Sequence, residues 1–374
     1  MRLDPFAMER LQSIWEHQVA WNVSESGVEP LRVEELALTA DDRESLLRQP
    51  LAYTQTNGTI PLRRLIADLH QGATVDHVQV TNGGSEANLI TLLHLVQPGD
   101  DVILMTPNYM QAPGLAQALG ANVVQWPLRP ASDGSRWEAD VVRLEALVTP
   151  RTKIVFICHP NNPTGCRLTA AELDGIGAAA SRVGAWVVSD EIYRGAELDA
   201  VESPTMWGRS DRVIVTSGLS KAYGLPGLRI GWVAGPPEVV ANLWAVHDYT
   251  TIAPGAMSDL LARIALSPSG RERLLARTRG IVRANYPLVR AWLEKRKKGF
   301  THIAPEAGAI VFAQYHHRVN STELVDRLRT EQSVLVVPGD HFGMDGYLRL
   351  GFGSHPEHLV GSLDRIAALM DNLD

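Results

Sequence analysis

Cysteine is scarce in this chain, with only Cys158 and Cys166 among 374 residues. That excludes a disulfide framework and a cysteine-rich zinc centre, and it fits a reducing compartment. No stretch reaches the roughly 18 uninterrupted apolar residues of a membrane-spanning helix. The opening residues, Met-Arg-Leu-Asp-Pro-Phe-Ala-Met-Glu-Arg, hold no continuous apolar segment, so no secretion signal and a cytoplasmic location are expected. Basic blocks are missing too. The 35 Lys and Arg against 42 Asp and Glu leave a net charge of −7, which argues against nucleic acid or an anionic membrane as partner. No Gly-x-Gly-x-x-Gly follows a strand, so a dinucleotide site lacks support. His316-His317 and His355 with His358 come without cysteine or ordered carboxylate company, and no metal is expected.

What is present is a chain 45% hydrophobic and long enough for two domains. Its middle alternates β-branched runs with longer helical stretches, the pattern of parallel βαβ units. Strands are expected at His77–Thr81, Asp101–Met105, Lys153–Cys158, Ala185–Ser189, Arg212–Thr216 and Leu228–Ala234. Helices are expected at Glu86–Val96, Met110–Gly120, Asp140–Val148 and Ala170–Val183. Unbroken apolar runs such as Ile154-Val155-Phe156-Ile157 predict a sheet covered by helices on both faces. Beyond about Gly280 the expectation is helix Ile281–Lys297, strand Ala309–Gln314, helix Ser321–Glu331, strands Val334–Pro338 and Tyr347–Phe352, and helix Glu357–Leu373. That is a smaller α+β unit sharing its layer with the N-terminal forty-odd residues.

Ligands in open parallel sheets sit beyond the carboxyl ends of the strands. There the sequence places Thr81-Asn82-Gly83-Gly84-Ser85, a glycine turn opening a helix, which suits an anion or simply an N-cap. Tyr109 follows the second strand, as a stacking platform or as packing. His159-Pro160-Asn161-Asn162-Pro163-Thr164-Gly165 fixes a turn with the Asn162 amide free to aim a hydrogen bond. Asp190 ends an apolar strand, which is costly unless a cation or N–H meets it, although a helix N-cap would also explain it. Lys221, enclosed by small residues, is odd for a solvated cation. Desolvation would depress its pKa and suit it to Schiff-base chemistry.

Taken together, Asn162-Pro163-Thr164-Gly165, Asp190-Glu191-Ile192-Tyr193 and Ser220-Lys221 followed by Arg229 resemble the class I/II aminotransferases, pyridoxal 5′-phosphate (PLP) enzymes with the aspartate-aminotransferase-like fold. The resemblance runs from Tyr53 to Arg349. It implies an α/β fold of type I, with a mostly parallel seven-stranded sheet in a large PLP-binding domain (46–280) and a small α+β domain (1–45 and 281–374). It implies that Lys221 holds the cofactor through a Schiff base and moves the substrate α-proton, with Asp190 pairing with the ring nitrogen. Tyr193 and Asn162 would bond the phenolic oxygen, and Tyr109 would stack on the ring. Gly84, Ser85 and Arg229 would hold the phosphate, and Tyr53 would reach the phosphate site of a second subunit in a homodimer. Arg349 would clamp the substrate α-carboxylate, for which a planar fork is suited, and Gly27 would touch substrate. The family carries Ser or Thr three residues before the lysine. Gly218 stands there instead, leaving Ser217 or Ser220 as substitutes.

The activity implied is amino transfer between an L-amino acid and a 2-keto acid. Ser24-Glu25-Ser26-Gly27-Val28, Trp126–Pro130 and Ser220–Gly227 also resemble PLP cyclases of the capreomycidine synthase type, so a cyclase or lyase on the same fold is the alternative. Gly218-Leu219-Ser220-Lys221-Ala222 is a near miss to the Gly-x-Ser-x-Gly elbow of α/β-hydrolases, with a wrong final residue and only Asp345 and His355 to follow. A PLP-fold binding protein without activity would be marked by loss of Lys221 or Asp190, and both are present.

Overall fold

The computed structural model describes residues 2–199 and 201–373. Seven strands form the main sheet: β1 (Val78–Thr81), β2 (Asp101–Thr106), β3 (Asn122–Pro127), β4 (Thr152–Cys158), β5 (Trp186–Asp190), β6 (Val213–Gly218) and β7 (Gly231–Ala234). They lie in the order β1-β7-β6-β5-β4-β2-β3. Every neighbouring pair is parallel except those of β7, which runs antiparallel to both β1 and β6.

The unbroken apolar runs have the expected consequence. In β4, Val155 and Ile157 join the core on one face with Leu173 and Ile176, while Ile154 and Phe156 join the core on the other with Ile90 and Leu92. Full burial of each such side chain contributes about 1.5–3 kcal/mol. Strand β3 escapes sequence reading because it is an edge: only Trp126 in it is buried, so no apolar run marks it. Two strands begin later than expected, for local reasons. Val75–His77 forms a 3₁₀ turn capped by the Thr74 hydroxyl ahead of β1. Pro226–Leu228 forms another, followed by Arg229 at φ 51°, ahead of β7. Helix Ala170–Val183 matches expectation, opened by a Thr169–Glu172 capping box and closed by left-handed Gly184.

The C-terminal part contains β8 (Phe300–His302), β9 (Ile310–Tyr315), β10 (Val337–Pro338) and β11 (Tyr347–Gly351). These form an antiparallel sheet in the order β8-β9-β11-β10. The run expected as one strand over Val334–Pro338 divides at Val336. Its first half pairs in parallel with Trp21–Asn22, and its second half pairs with β11. The long helix begins thirteen residues earlier than expected and spans Pro268–Lys295, because Ser267 caps it and Pro268 occupies its first position. Its buried stripe, Leu274, Thr278, Val282, Asn285, Val289 and Trp292, follows the three- and four-residue helical spacing.

Strand β7 lies hard against the start of helix Gly84–Leu95. A Cβ on Gly231 would fall 2.3 Å from the Gly83 carbonyl carbon and 2.4 Å from the Gly84 nitrogen. Gly231→Ala is therefore expected to destabilise the fold by about 2–3 kcal/mol, read as a lowered urea midpoint at unchanged slope. An unchanged midpoint would show that this contact is loose.

Candidate active site

The carboxyl ends of the parallel strands, together with β11 and the N-terminal segment, surround a cavity of about 420 Å³. Gly84, Ser85, Tyr109, Asn162, Asp190, Tyr193, Ser220, Lys221, Arg229 and Arg349 all line it. Residues separated by more than 250 positions are thus brought together.

Asp190, the last residue of β5, is 7% exposed. One carboxylate oxygen accepts the Asn88 Nδ2–H at 2.9 Å and the other accepts the Ile192 N–H at 3.1 Å. Asn88 is fixed in turn by the Thr216 hydroxyl, which donates to its Oδ1 at 2.7 Å. No lysine, arginine or histidine among the described residues pairs with the carboxylate. Burial raises its pKa to about 6, against the pull of the Asn88 and Ile192 hydrogen bonds.

An anion corner faces it. The N–H groups of Gly84 and Ser85 open helix Gly84–Leu95 and have no intrahelical acceptor. Arg229 reaches the same corner. Its hydrogen bonds go to Ser220 Oγ (3.5 Å) and to the carbonyls of Pro226 (3.2 Å) and Asn82 (3.4 Å), with no carboxylate partner among the described residues. Gly83 makes room for it, since a Cβ there would lie 2.3 Å from Arg229 Nη2.

Lys221 Nζ lies 3.2 Å from a Glu25 carboxylate oxygen. The expectation of a depressed lysine pKa is corrected here. Burial pushes the amine down, but Glu25 and Tyr193 outweigh it and the pKa is raised. Lys221 correspondingly lowers the Glu25 carboxyl to about 2. Arg349 is 1% exposed, donating from Nη1 to Asn162 Oδ1 at 2.9 Å and from Nη2 to the Ser24 carbonyl. The Tyr193 hydroxyl donates to Ser26 Oγ at 2.9 Å, and burial pushes its pKa up. The Tyr109 hydroxyl donates to the Glu9 carboxylate at 2.8 Å while its ring packs 4.9 Å from Phe6.

Three expected residues stand apart from the cavity wall. Ser217 donates to the Glu191 carbonyl at 3.2 Å and borders a separate small cavity, so of the two substitute serines only Ser220 reaches the anion corner. A side chain at Gly218 would put its Cβ 2.8 Å from the Ile230 carbonyl oxygen, which is why serine does not fit there. Tyr53 is 85% exposed. Gly27 backs the lysine, its would-be Cβ 3.6 Å from Lys221 Cδ. Asp345, which a hydrolase would need near Ser220, instead accepts the Ser321 and Gly346 N–H groups. Sequence reading missed Asn88, Glu25 and Ser26. Asn88 carried a weak signal, an amide one turn below Gly84 in a helix that also holds Ser85, Glu86, Thr91 and His94.

These residues fit PLP: a buried carboxylate lacking a cation suits a protonated ring nitrogen, and a helix start with an unpaired arginine suits a phosphate. Together with an amine at the carboxyl ends of a parallel sheet, they define a PLP enzyme of fold type I. The chain matches the model of the class I and II aminotransferases over residues 19–366 and belongs to that family. It is 33% identical over 297 residues to capreomycidine synthase of Streptomyces vinaceus, covering 78% of this chain and 73% of that protein. An aspartate aminotransferase of Streptomyces avermitilis is 30% identical over 344 residues, covering 85% and 81% respectively. The crystal structure of a PLP-dependent aminotransferase from Streptococcus suis superposes with a TM-score of 0.93 at 31% identity, covering 100% of this chain and 99% of that one. Pyridoxal 5′-phosphate is the cofactor of this chain.

Because folding raises the Asp190 pKa from 3.8 to about 6, the cofactor-free protein loses stability from this group as pH rises from about 4 through 6. Asp190→Asn is expected to remove that loss, stabilising the cofactor-free protein by up to about 3 kcal/mol at pH 8 but not at pH 4, measured by urea unfolding at both. Equal effects at the two pH values would show that the carboxylate is not strained by burial.

Proposed function

We propose that this protein is an aminotransferase moving an amino group between an L-amino acid and a 2-keto acid, with Lys221 as the catalytic base. The convergence of Lys221, Asp190 and Arg349 on one cavity carries this reading. When bound, PLP supplies an aldehyde for the substrate amine and a ring that withdraws electrons from the α-carbon.

The protein's part is positioning and proton handling. Arg349, its fork held by Asn162 and Ser24, pairs with the substrate α-carboxylate and fixes the α-carbon. Lys221 Nζ would take the proton from that carbon and release it to the carbon that the cofactor aldehyde contributes. In the cofactor-free protein Glu25 pairs with this amine at 3.2 Å and favours its charged form. Asp190, steadied by Asn88 and Thr216, would hold a proton on the ring nitrogen. Asn162 and Tyr193 would hold the phenolic oxygen, Tyr109 would lie against the ring, and Gly84, Ser85, Ser220 and Arg229 would hold the phosphate.

A homodimer accompanies this reading. Leu47, Leu51, Tyr53 and Tyr249 are each at least 85% exposed, and the 47–60 and 244–257 segments touch through the Thr54–Pro254 and Trp244–Thr56 hydrogen bonds. So much exposed apolar surface on one side suits a partner copy, with Tyr53 reaching across. The two buried free thiols suit the cytoplasm. No helix among the described residues is long and apolar enough to cross a membrane.

The likeness to capreomycidine synthase supports a second reading, cyclisation of an amino acid on the same site. Product analysis separates the two, since only amino transfer yields a 2-keto acid. Lys221→Ala is expected to lower keto-acid formation by about a thousandfold or more, and to abolish the pyridoxyl adduct that borohydride fixes at this position. Near-normal turnover in that variant would overturn the assignment. Sedimentation velocity is expected to give a dimer, and an active monomer would remove the role given to Tyr53.

A further inference from the structure

The turn that opens helix Gly84–Leu95 is braced from behind, by a carboxylate that takes no part in the cavity wall. Glu86, in the first turn of that helix, is 7% exposed. Its Oε2 accepts the Asn82 N–H at 2.6 Å and lies 3.4 Å from His247 Nε2. Its Oε1 accepts the Thr250 and Thr251 hydroxyls, the latter at 2.8 Å. Asn82 is gripped a second time, its Nδ2 donating to Thr251 Oγ1 and, at 3.3 Å, to the Ala253 carbonyl. Burial pushes the Glu86 pKa up, but the hydrogen bonds from His247, Thr250, Asn82 and Thr251 outweigh it and bring it down to about 2.

A buried carboxylate next to an anion corner is unfavourable on two counts, lost solvation and repulsion of the anion. What it contributes is geometry. The Glu86 N–H donates to the Gly83 carbonyl at 3.2 Å while the side chain reaches back to the Asn82 N–H, a closure one residue longer than a capping box. That closure fixes Gly83, at φ 97°, and with it the direction of the Gly84 and Ser85 N–H groups. It also fixes the Asn82 peptide, whose carbonyl accepts from Arg229 Nη2 at 3.4 Å. The far side of the brace is strained. Ile252, directly after Thr250 and Thr251, stands at φ 69°, a region that β-branched residues avoid. Such strain persists where surrounding contacts over-determine it, and here the bend sets two hydroxyls and His247 around one carboxylate.

We propose that Glu86 is a positioning residue for the cofactor phosphate. By tying Asn82 to His247, Thr250 and Thr251, it holds the Gly84 and Ser85 N–H groups and Arg229 in one preformed corner, so that little ordering is left for the cofactor to drive. This inference rests on the proposed placement of the phosphate at that corner, and not on the reaction or the substrate.

The test compares PLP with pyridoxal, which keeps the ring and the aldehyde but lacks the phosphate. Each is titrated into cofactor-free protein and followed by the Schiff-base absorbance. The wild-type protein is expected to half-saturate with PLP at least about a hundredfold below pyridoxal. Glu86→Leu is expected to raise the PLP value about tenfold or more by unpairing a peptide N–H and two hydroxyls, with the pyridoxal value within about twofold. Glu86→Gln still offers an oxygen to Asn82 and an amide that the threonine hydroxyls can accept, and is expected to stay within about threefold of wild type. The double variant Thr250→Val, Thr251→Val is expected to raise the PLP value about threefold at unchanged pyridoxal affinity, and it decides the matter if Glu86→Leu does not fold. Equal weakening of both ligands, a PLP value unmoved in the deciding variant, or Glu86→Gln as impaired as Glu86→Leu would each overturn the role of Glu86 and leave the phosphate placement standing. Wild-type protein with no preference for PLP over pyridoxal would overturn the placement itself, and the inference with it.

Discussion

A carboxylate placed where water cannot reach it sets the terms for the rest of the molecule. Asp190 ends the central strand of a sheet whose strands are largely apolar on both faces, and its raised pKa corresponds to about 3 kcal/mol against ionisation. Two N–H groups moderate that cost without cancelling it. The supports are themselves supported: Asn88 holds Asp190, and Thr216 on the adjoining strand holds Asn88. On the proposed reading, a buried charge tied to two neighbouring elements would store binding energy for a cationic ring nitrogen. It also explains why helix Gly84–Leu95, whose start forms the anion corner, cannot shift independently of the sheet.

Much of this was legible in the sequence, because it rests on local chemistry. Continuous apolar runs announced the sheet, and Asn162, Asp190, Tyr193, Lys221, Arg229 and Arg349 were placed by motif and now share a cavity wall. What escaped was set by distant packing. Strand β3 carries no apolar run because one edge of it meets solvent. Ser217 and Ser220 look interchangeable along the chain, yet the pleat of β6 turns Ser217 to the Glu191 carbonyl. The lysine pKa moved opposite to expectation because the dominant charge, Glu25, lies 196 residues away in sequence. Burial was readable from small neighbours, and its compensation was not.

Glycine at 218 shows how a departure from a family pattern can be structural rather than chemical. Strand β7 comes so close to β6 and to the Gly83–Gly84 turn that neither Gly218 nor Gly231 has room for a Cβ. The close approach aims Arg229, held at φ 51°, into the anion corner. One hydroxyl is given up at the strand and one guanidinium is brought nearer.

The pairing of Trp21–Asn22 with Val334–Leu335 has a consequence for how such a protein could diversify. It fastens the amino-terminal segment to the run that continues through Val336 into the C-terminal sheet, which carries Arg349 on β11. Asp190, by contrast, ends one strand of the main sheet and Lys221 follows another. On the proposed reading, the group that would grip a substrate carboxylate and those that would act on its bonds thus stand on separate sheets lining one cavity. Mutations in the first scaffold can retune molecular taste while the reactive machinery in the second is inherited unaltered.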